Sequence, residues 1–508
     1  RHQEVLRKKV EYGQKTDPRH LYTSTSHPYS PGRIDDFYIS ATCHDPDQET
    51  EEDAAGEKVV GKMGAPLNGI LWGGPDPLTT SRFCLEVPDT MKDFGREIAR
   101  IGKPVITHEV GQWAVYPNLK EIDKYTGVLK AKNFELIRDD LSRKGLLDLA
   151  DDFVRASGQL SLRLYKEEIE SALRTPGLAG FQLLDIHDYP AQGTSTVGIL
   201  DVFWDSKGLI EPHVFRGFCS DTVPLLRMAK YVWTNDETYA ADIEVAHYGP
   251  EDIRGAEVAW EISDERGCVA AAGSFDRTDI AAGRLNRIGK AEAKLSGVGS
   301  PRKWSVRVRI EGTPFENKWE MWVYPSSVPE APRDAAVIAE EPDDETLKLL
   351  QDGGNVLLVL KPGTVKHALP GVFTTVFWNV LMKKQVGTMG LLCDPSHPLF
   401  EHFPTEFHTN WQWWDIVMHS AALNLDGTPA PFRPIVQVID AFHENKKLGL
   451  IFEAAVGRGK LLVCAADILS NLDERPVARQ LRCSILQYMD GGKFQPKFAL
   501  GVEQLQRL

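Results

Sequence analysis

The spacing of apolar residues changes character twice along the chain, and this limits the folds that the sequence can adopt. Residues 1–228 alternate between short β-rich runs and stretches of helical periodicity. In 158–174, Tyr165, Ile169 and Leu173 recur every four residues, which is typical of one helix face. The near-continuous apolar run 180–186 is typical of a buried parallel strand. These repeats predict a parallel α/β barrel over residues 1–230.

The central part of the chain has a different pattern. Residues 240–246, 256–262 and 304–310 alternate between apolar and polar side chains with a period of two. Short alternating runs at close spacing are typical of antiparallel strands. We therefore predict an immunoglobulin-like β-sandwich over residues 231–325.

Beyond a proline-containing linker the pattern returns to α/β. Apolar runs at 355–360, 448–453 and 459–464 predict buried strands, and helices are predicted at 344–351 and 478–489. This alternation predicts a flavodoxin-like α/β domain over residues 326–508.

The predicted barrel is only half complete. Four strands can be counted before residue 230, at 21–26, 36–40, 105–109 and 180–186, with a helix beginning near Pro88. Half of a barrel would leave open edges and an unfilled interior. The sequence begins at Arg1 without a Met. We therefore expect a fragment, a processed product or one piece of a larger polypeptide, whose targeting signal lies elsewhere.

Composition excludes several classes of protein. The 508 residues carry a net charge of -14 and no run of Lys or Arg that would supply a basic face, which argues against binding to nucleic acid. The seven cysteines never form a C-x-x-C pair, so neither a disulfide framework nor a zinc site is expected. No stretch is long and apolar enough to cross a membrane. We expect no cofactor.

Glu109 is the residue on which the functional prediction depends. It lies at the carboxyl end of the predicted strand 105–109, and active sites of parallel barrels lie at that face. A carboxylate there can act as a nucleophile, a base or a metal ligand. Position alone does not separate these roles from that of a solvated ion-pair partner.

Two segments resemble glycoside hydrolase family 2 and its barrel clan. Residues 103–111, Lys-Pro-Val-Ile-Thr-His-Glu-Val-Gly, are similar to that family's nucleophile strand, and 17–22, Asp-Pro-Arg-His-Leu-Tyr, to its Asp-Pro segment. The resemblance implies that the four strands are strands five to eight of a (β/α)8 barrel, with Glu109 as nucleophile on strand seven. His108 departs from the commoner Ser or Thr. The Asn-Glu pair that carries the acid/base is expected upstream of Arg1.

The chemistry implied by this resemblance is a retaining double displacement. Glu109 would attack the anomeric carbon while a second carboxyl group, about 5–5.5 Å away, protonates the leaving oxygen. The expected substrate is a β-linked, galactoside-like oligo- or polysaccharide that the enzyme cleaves in exo fashion. The other expected partner is the N-terminal half of the same enzyme. Assembly into a homo-oligomer is left open as a further possibility. The expected location is periplasmic or secreted.

Further residues at the predicted strand ends could bind sugar. Aromatic rings stack on the C–H faces of sugars, while polar side chains bind the hydroxyl groups. The candidates for substrate binding are His27, Tyr38, His108, Trp113, Asp185, His187, Asp188, Gln192 and Trp204. Core packing is the alternative for each aromatic residue. A metal at Asp185-x-His187-Asp188 is disfavoured because the sequence offers no further anchor nearby.

The last domain resembles the glutamine amidotransferase-like domains appended to some β-galactosidases. Cys393 follows an apolar run but precedes a proline-containing turn, so we expect a non-catalytic role in assembly or in walling the active site. An amidotransferase-like activity at Cys393 is one alternative. Another is a non-catalytic carbohydrate-binding or scaffold protein derived from a glycosidase.

Overall fold

The structure is a computed structural model and contains helices, strands and several separate sheets. It describes residues 2–24, 35–40, 42–43, 50–52, 58–60, 65–66, 81–101, 103–189, 194–329, 335–365, 367–376, 378 and 387–505. Most of the buried apolar side chains belong to one continuous cluster. The layers described below are therefore packed against one another rather than separated by solvent.

The region before residue 220 contains a small parallel sheet. The helices of this region are α1 (His2–Thr16), α2 (Gly95–Ile101), α3 (Lys132–Lys144), α4 (Ala150–Leu173) and α5 (Pro212–Phe218). The strands of the region are β1 (Tyr38–Ser40), β2 (Thr42–Cys43), β3 (Thr50–Glu52), β4 (Lys58–Val60), β5 (Ala65–Pro66), β6 (Val105–Gly111) and β7 (Leu178–Leu184). Strands β1, β6 and β7 lie side by side and are all parallel. In the described part of the chain no further strand joins this sheet, so these residues alone form no closed barrel.

Two predictions for this region are wrong. Residues 21–24 form no strand, because the Tyr22 N–H donates to the Asp36 carboxylate (2.8 Å) instead of to a sheet; residues 25–26 lie outside the described residues. The helix predicted near Pro88 begins only at Gly95. The intervening segment is irregular, and Thr90 ties it to Met228 through backbone and side-chain hydrogen bonds.

Residues 222–324 form two facing β-sheets. The strands are β8 (Thr222–Met228), β9 (Val232–Thr234), β10 (Thr238–His247), β11 (Ile253–Ala256), β12 (Val258–Asp264), β13 (Val269–Ser274), β14 (Thr278–Ile280), β15 (Arg284–Lys294), β16 (Arg302–Ile310) and β17 (Glu316–Tyr324). Eight of these strands form the two facing sheets, in the orders β15-β10-β8 and β13-β12-β16-β17-β9, whereas β11 and β14 pair with each other in a separate two-stranded sheet. Strand β8 contacts β16 and β17, and buried side chains such as Ile243 and Val306 fill the space between sheets.

The last layer is one mixed sheet with helices. The strands are β18 (Val337–Ala339), β19 (Asn355–Val359), β20 (Leu369–Pro370), β21 (Thr388–Cys393), β22 (Ala421–Asn424), β23 (Val436–Asp440), β24 (Lys447–Val456) and β25 (Gly459–Cys464). The helices are α6 (Asp344–Gln351), α7 (Trp413–Met418), α8 (Pro476–Asp490) and α9 (Val502–Leu505). Asp343 caps α6 by accepting a hydrogen bond from the Thr346 N–H (2.8 Å).

The topology of this sheet differs from the predicted flavodoxin-like arrangement. Among the described strands of this sheet, β18, β19 and β25 pair in parallel, and the remaining pairs are antiparallel. The short turn at Gly457, whose φ is 60°, joins β24 to β25 as a hairpin. A doubly wound sheet needs a helical crossover between parallel neighbours, so the hairpin excludes that topology here.

Helix α4 lies between these layers and carries buried ion pairs. It contacts β6 and β7 on one side and β21 of the last sheet on another. Arg174, which follows α4 and is fully buried, binds Glu167 (2.6 Å) and Glu170 (3.2 Å). Glu170 also accepts hydrogen bonds from Trp319 (2.9 Å) and Asn317 (2.8 Å) of β17. Arg82 also pairs with Glu167 and Lys166 with Glu170, so the two buried carboxylates are held by one shared guanidinium, one further cation each and donors from the neighbouring sheet.

Replacing Arg174 with Met tests this network. The change removes the cation that Glu167 and Glu170 share and leaves each with one remaining cation, Arg82 and Lys166 respectively, so we expect the free energy of unfolding to fall by about 3 kcal/mol. Urea denaturation measures this loss. The matched control is Arg143→Met, because Arg143 is a largely exposed partner of Asp140 and should cost about 0–1 kcal/mol. Equal losses for the two variants would contradict the prediction.

Candidate active site at Glu109

Glu109 lies in an irregular stretch of the central parallel strand. The register between β6 and β7 shifts between Thr107 and Val110. Glu109 has a φ of 56°, in the left-handed region that side chains other than Gly rarely adopt. Bulges of this kind redirect a side chain, and strained backbone is concentrated at functional sites. The irregularity lies near the carboxyl end of the sheet, where the prediction locates the site.

Both oxygens of the Glu109 carboxylate have hydrogen-bonding partners. His108 Nε2 lies 3.1 Å from Oε1, and Gln112 Nε2 donates to Oε2 (3.1 Å) and to the Glu109 carbonyl (3.2 Å). His108 Nδ1 lies 3.0 Å from Gln182 Oε1 on β7. The Glu109 side chain keeps 26% of its exposure, so solvent or a ligand can reach it. The site is therefore ordered and open.

The charge of Glu109 affects its neighbours. The hydrogen bond from His108 to Glu109 raises the pKa of His108 above its usual value, although partial burial opposes this. Burial raises the pKa of Tyr189, and the negative charges of Glu109 and Asp185 add to the increase. Glu109, Asp185 and Tyr189 therefore share one electrostatic environment at this edge of the sheet.

Gln112 and Trp378 complete the wall around Glu109, and sequence reasoning missed both. The Gln112 side chain is buried and accepts a hydrogen bond from Trp378 Nε1 (3.0 Å). The Trp378 ring meets the Tyr189 ring edge to face, with centroids 5.7 Å apart. Trp378 belongs to the region after the β-sandwich, so the last layer contributes directly to the site. No local pattern indicates a contact between residues so distant in the chain.

The loop after β7 presents three of the predicted polar and aromatic residues. Asp185 is half-buried, and its carboxylate accepts the Ile186 N–H (2.6 Å). The rings of His187 and Trp204 pack together with centroids 4.5 Å apart. Trp204 has a φ of 67° and is 62% exposed. This pair is an open aromatic surface of the kind on which a sugar ring stacks.

Two predicted site residues are internal instead. Trp113 is buried and packs edge to face on Phe83, so it has no ring face for a sugar. Asp188 is also buried, where it binds Lys207 (2.6 Å) and accepts the Gly198 N–H (2.7 Å). Because the Asp188 carboxylate is bound by these internal partners, Asp188 stabilises the loop rather than contacting substrate.

The remaining predicted residues receive little or no structural description. His27 and Gln192 lie outside the described residues. Tyr38 pairs with Val105 in the parallel sheet, but its side chain lies outside the described part. Their predicted contacts with substrate stay predictions.

Cys393 is not arranged as a nucleophile. It is buried at the end of β21, and its thiol donates to the Glu406 carbonyl (3.1 Å). Burial raises the pKa of this thiol to about 12, which keeps it protonated near neutral pH. Trp413 is fully buried and Trp411 stacks on Tyr231, so these tryptophans pack in the core.

Two wider properties follow from the described residues. They contain no group of three His, Cys, Asp or Glu side chains arranged to hold a metal ion. None of the helices in the same part of the chain combines the length and apolar character needed to span a bilayer.

Comparison with known proteins gives two family matches. Residues 337–508 match a domain of unknown function (DUF8487), and residues 237–325 match another domain of unknown function (DUF8488). No curated protein matches the chain.

Similar solved structures include glycoside hydrolases. Exo-chitosanase CsxA of Amycolatopsis orientalis has 14% identity over 37% of this chain and 21% of that chain, with a TM-score of 0.23. The β-glucuronidase of Parabacteroides merdae has 12% identity over 28% and 21%, with a TM-score of 0.17. A family 123 glycoside hydrolase from Clostridium perfringens has 9% identity over 31% and 41%, with a TM-score of 0.16.

These likenesses are partial. The chain spans about a fifth to two fifths of the length of these three hydrolases. Other similar structures include a DNA glycosylase, AlkC of Pseudomonas fluorescens. Likenesses with such low TM-scores do not indicate an activity for this chain.

The pKa of His108 provides a direct test of the geometry around Glu109. In Glu109→Gln the carboxylate that favours the imidazolium is lost, so we expect the pKa of His108 to fall toward or below its usual value. In the unmodified protein the stabilisation from the raised pKa of His108 is present below the usual histidine pKa as long as Glu109 is ionised, and it is lost as pH rises through the raised pKa. Histidine NMR titration measures both values. The matched control, Glu135→Gln, removes a half-buried carboxylate on α3 that pairs with Lys132 and should leave the pKa of His108 unchanged. An unaltered pKa of His108 in Glu109→Gln would contradict the assigned contact.

Proposed function

We propose that this chain contributes the nucleophile of a retaining exo-glycoside hydrolase, and that Glu109 is that nucleophile. The observation that supports this most is the left-handed backbone of Glu109 within a break in the strand register. A non-Gly residue in this conformation destabilises the fold by about 1–3 kcal/mol. A carboxylate that served only in a solvated ion pair would not require such a strained backbone. The resemblance of residues 103–111 to the nucleophile strand of family 2 supports the same role.

The proposed reaction has two steps. A Glu109 carboxylate oxygen attacks the anomeric carbon as the bond to the leaving oxygen breaks, and that oxygen takes a proton from an acid. Water then attacks the anomeric carbon, gives its proton to the same group acting as base, and releases Glu109. We expect this second carboxyl on sequence that precedes Arg1. Gln112 and His108 would hold the attacking carboxylate in position.

The proposed substrate is a β-linked sugar, with β-galactosides tested first. Sugars present apolar C–H faces, and the exposed His187–Trp204 pair offers a surface for them. Asp185 beside this surface can accept hydrogen bonds from hydroxyl groups. A polysaccharide substrate also favours a periplasmic or secreted location, which we include in the proposal.

Substrates with activated leaving groups test Glu109 without requiring the second carboxyl. Dinitrophenolate departs without protonation, so a panel of 2,4-dinitrophenyl β-glycosides isolates the attack by Glu109. We expect Glu109→Gln to lower kcat/KM at least about 10³-fold because the nucleophile is lost. A 2-deoxy-2-fluoro glycoside should add one sugar to the peptide that contains Glu109, as detected by mass spectrometry.

The control for this experiment is Glu135→Gln, which changes a carboxylate on α3 that pairs with Lys132 and is about as accessible as Glu109. Its turnover should equal that of the unmodified protein. Full turnover by Glu109→Gln, or attachment of the sugar elsewhere, would exclude Glu109 as the nucleophile.

The exposed tryptophan gives a separate prediction. Replacing Trp204 with Ala removes a stacking surface, and one aromatic contact is worth about 0.5–1.5 kcal/mol. We expect KM to rise about 2- to 12-fold with little change in kcat, measured by steady-state kinetics. Tyr248→Ala, which removes an exposed ring from the β-sandwich region, should change neither value. A fall in kcat alone would indicate that Trp204 does not act through binding.

A second candidate function is carbohydrate binding without catalysis. The exposed His187–Trp204 surface favours it, because stacking on a sugar does not require a nucleophile. Calorimetric binding of galactosides that depends on Trp204, without turnover of any dinitrophenyl glycoside, would support this alternative over the enzyme.

A further inference from the structure

Trp378 orients the amide of Gln112, and this contact links the last layer of the protein to Glu109. The indole N–H can only donate a hydrogen bond, and it lies 3.0 Å from Gln112 Oε1. The amide nitrogen of Gln112 therefore faces the other way, toward Glu109 Oε2 at 3.1 Å. A flipped amide would direct an oxygen at the carboxylate and lose both hydrogen bonds.

The surroundings of this contact restrict both side chains. Gln112 and Trp378 are nearly fully buried, at 1% and 5% exposure. The Trp378 ring also packs edge to face on Tyr189. In a buried setting water cannot replace a lost partner easily, so removing the indole N–H would leave the Gln112 carbonyl unsatisfied. The direction of the Gln112 amide thus depends on Trp378.

We propose that Trp378 is a positioning residue for the nucleophile, acting on Glu109 through Gln112. This inference rests on the proposed function for its role in glycoside cleavage, but the interaction itself can be tested independently. A hydrogen bond donated to a carboxylate favours its charged form and fixes its direction. Loss of the Trp378 N–H therefore loosens Glu109 and raises the pH at which it ionises. The last layer is then part of the active site.

The test compares two tryptophans that make the same kind of contact. Trp378→Phe keeps an aromatic ring beside Tyr189 and removes only the indole N–H. Trp414→Phe is the matched control, because Trp414 Nε1 also donates from the last layer, to the Phe83 carbonyl (2.6 Å). With 2,4-dinitrophenyl glycosides we expect Trp378→Phe to lower kcat about tenfold with little change in KM. We also expect it to move the acidic limb of the kcat profile to higher pH.

A double-mutant cycle with Gln112→Ala separates positioning from general destabilisation. If Trp378 acts through Gln112, adding Trp378→Phe to Gln112→Ala causes no further loss of kcat. An equal loss in both backgrounds overturns the proposal, as does an unchanged kcat and pH profile in Trp378→Phe alone. Trp414→Phe should match the unmodified protein.

A direct measurement of Glu109 keeps this test separate from the proposed function. The pKa of the Glu109 carboxyl can be followed by NMR with ¹³C-labelled glutamate, with Glu109→Gln used for assignment. A rise in Trp378→Phe, absent in Trp414→Phe, supports the positioning role even if no glycoside is cleaved. An unchanged pKa overturns it, whereas an absence of turnover together with a raised pKa contradicts only the glycosidase proposal.

Discussion

The buried ion pairs along helix α4 are the interaction on which the arrangement of the layers depends. Arg174 binds Glu167 and Glu170 without access to solvent, and Glu167 also binds Arg82. Trp319 of β17 donates to Glu170, so the network joins α4 to the β-sandwich as well. Isolated charges inside a protein are strongly unfavourable unless they are paired. Each charge therefore constrains the position of the elements that carry its partners.

Because α4 is fixed in this way, it also fixes the end of strand β6. Glu168 of α4 accepts a hydrogen bond from the Gly111 N–H (2.7 Å). Gly111 has a φ of 102°, and a Cβ atom there would lie 2.3 Å from the Tyr165 ring. Only glycine fits this contact, which brings the strand against the helix two residues after Glu109. The contact of Gly111 with α4 thus helps to hold the left-handed backbone of Glu109.

The sequence predicted what depends on local patterns. Strand 105–109 is predictable because its apolar residues end at a carboxylate before Gly111, and helix 344–351 because a local pattern is enough to indicate it. The prediction of a flavodoxin-like sheet for the last layer is wrong because the periodicity of a strand does not indicate which strand lies next to it or in which direction that strand runs. The hydrogen bond between Gln112 and Trp378 spans 266 residues of chain. No local pattern encodes such a contact.

The loop after β7 shows why a short polar motif was only partly interpretable. Its segments approach so closely that a Cβ on Gly198 would lie 2.3 Å from the His187 backbone. This contact buries Asp188, which binds Lys207 and the Gly198 N–H. His187 stays beside the exposed Trp204. The two adjacent residues therefore differ: Asp188 holds the loop from inside, whereas His187 stays half-buried beside the exposed Trp204. Burial makes this difference, and burial depends on the loop segment that returns past Gly198 rather than on residue type.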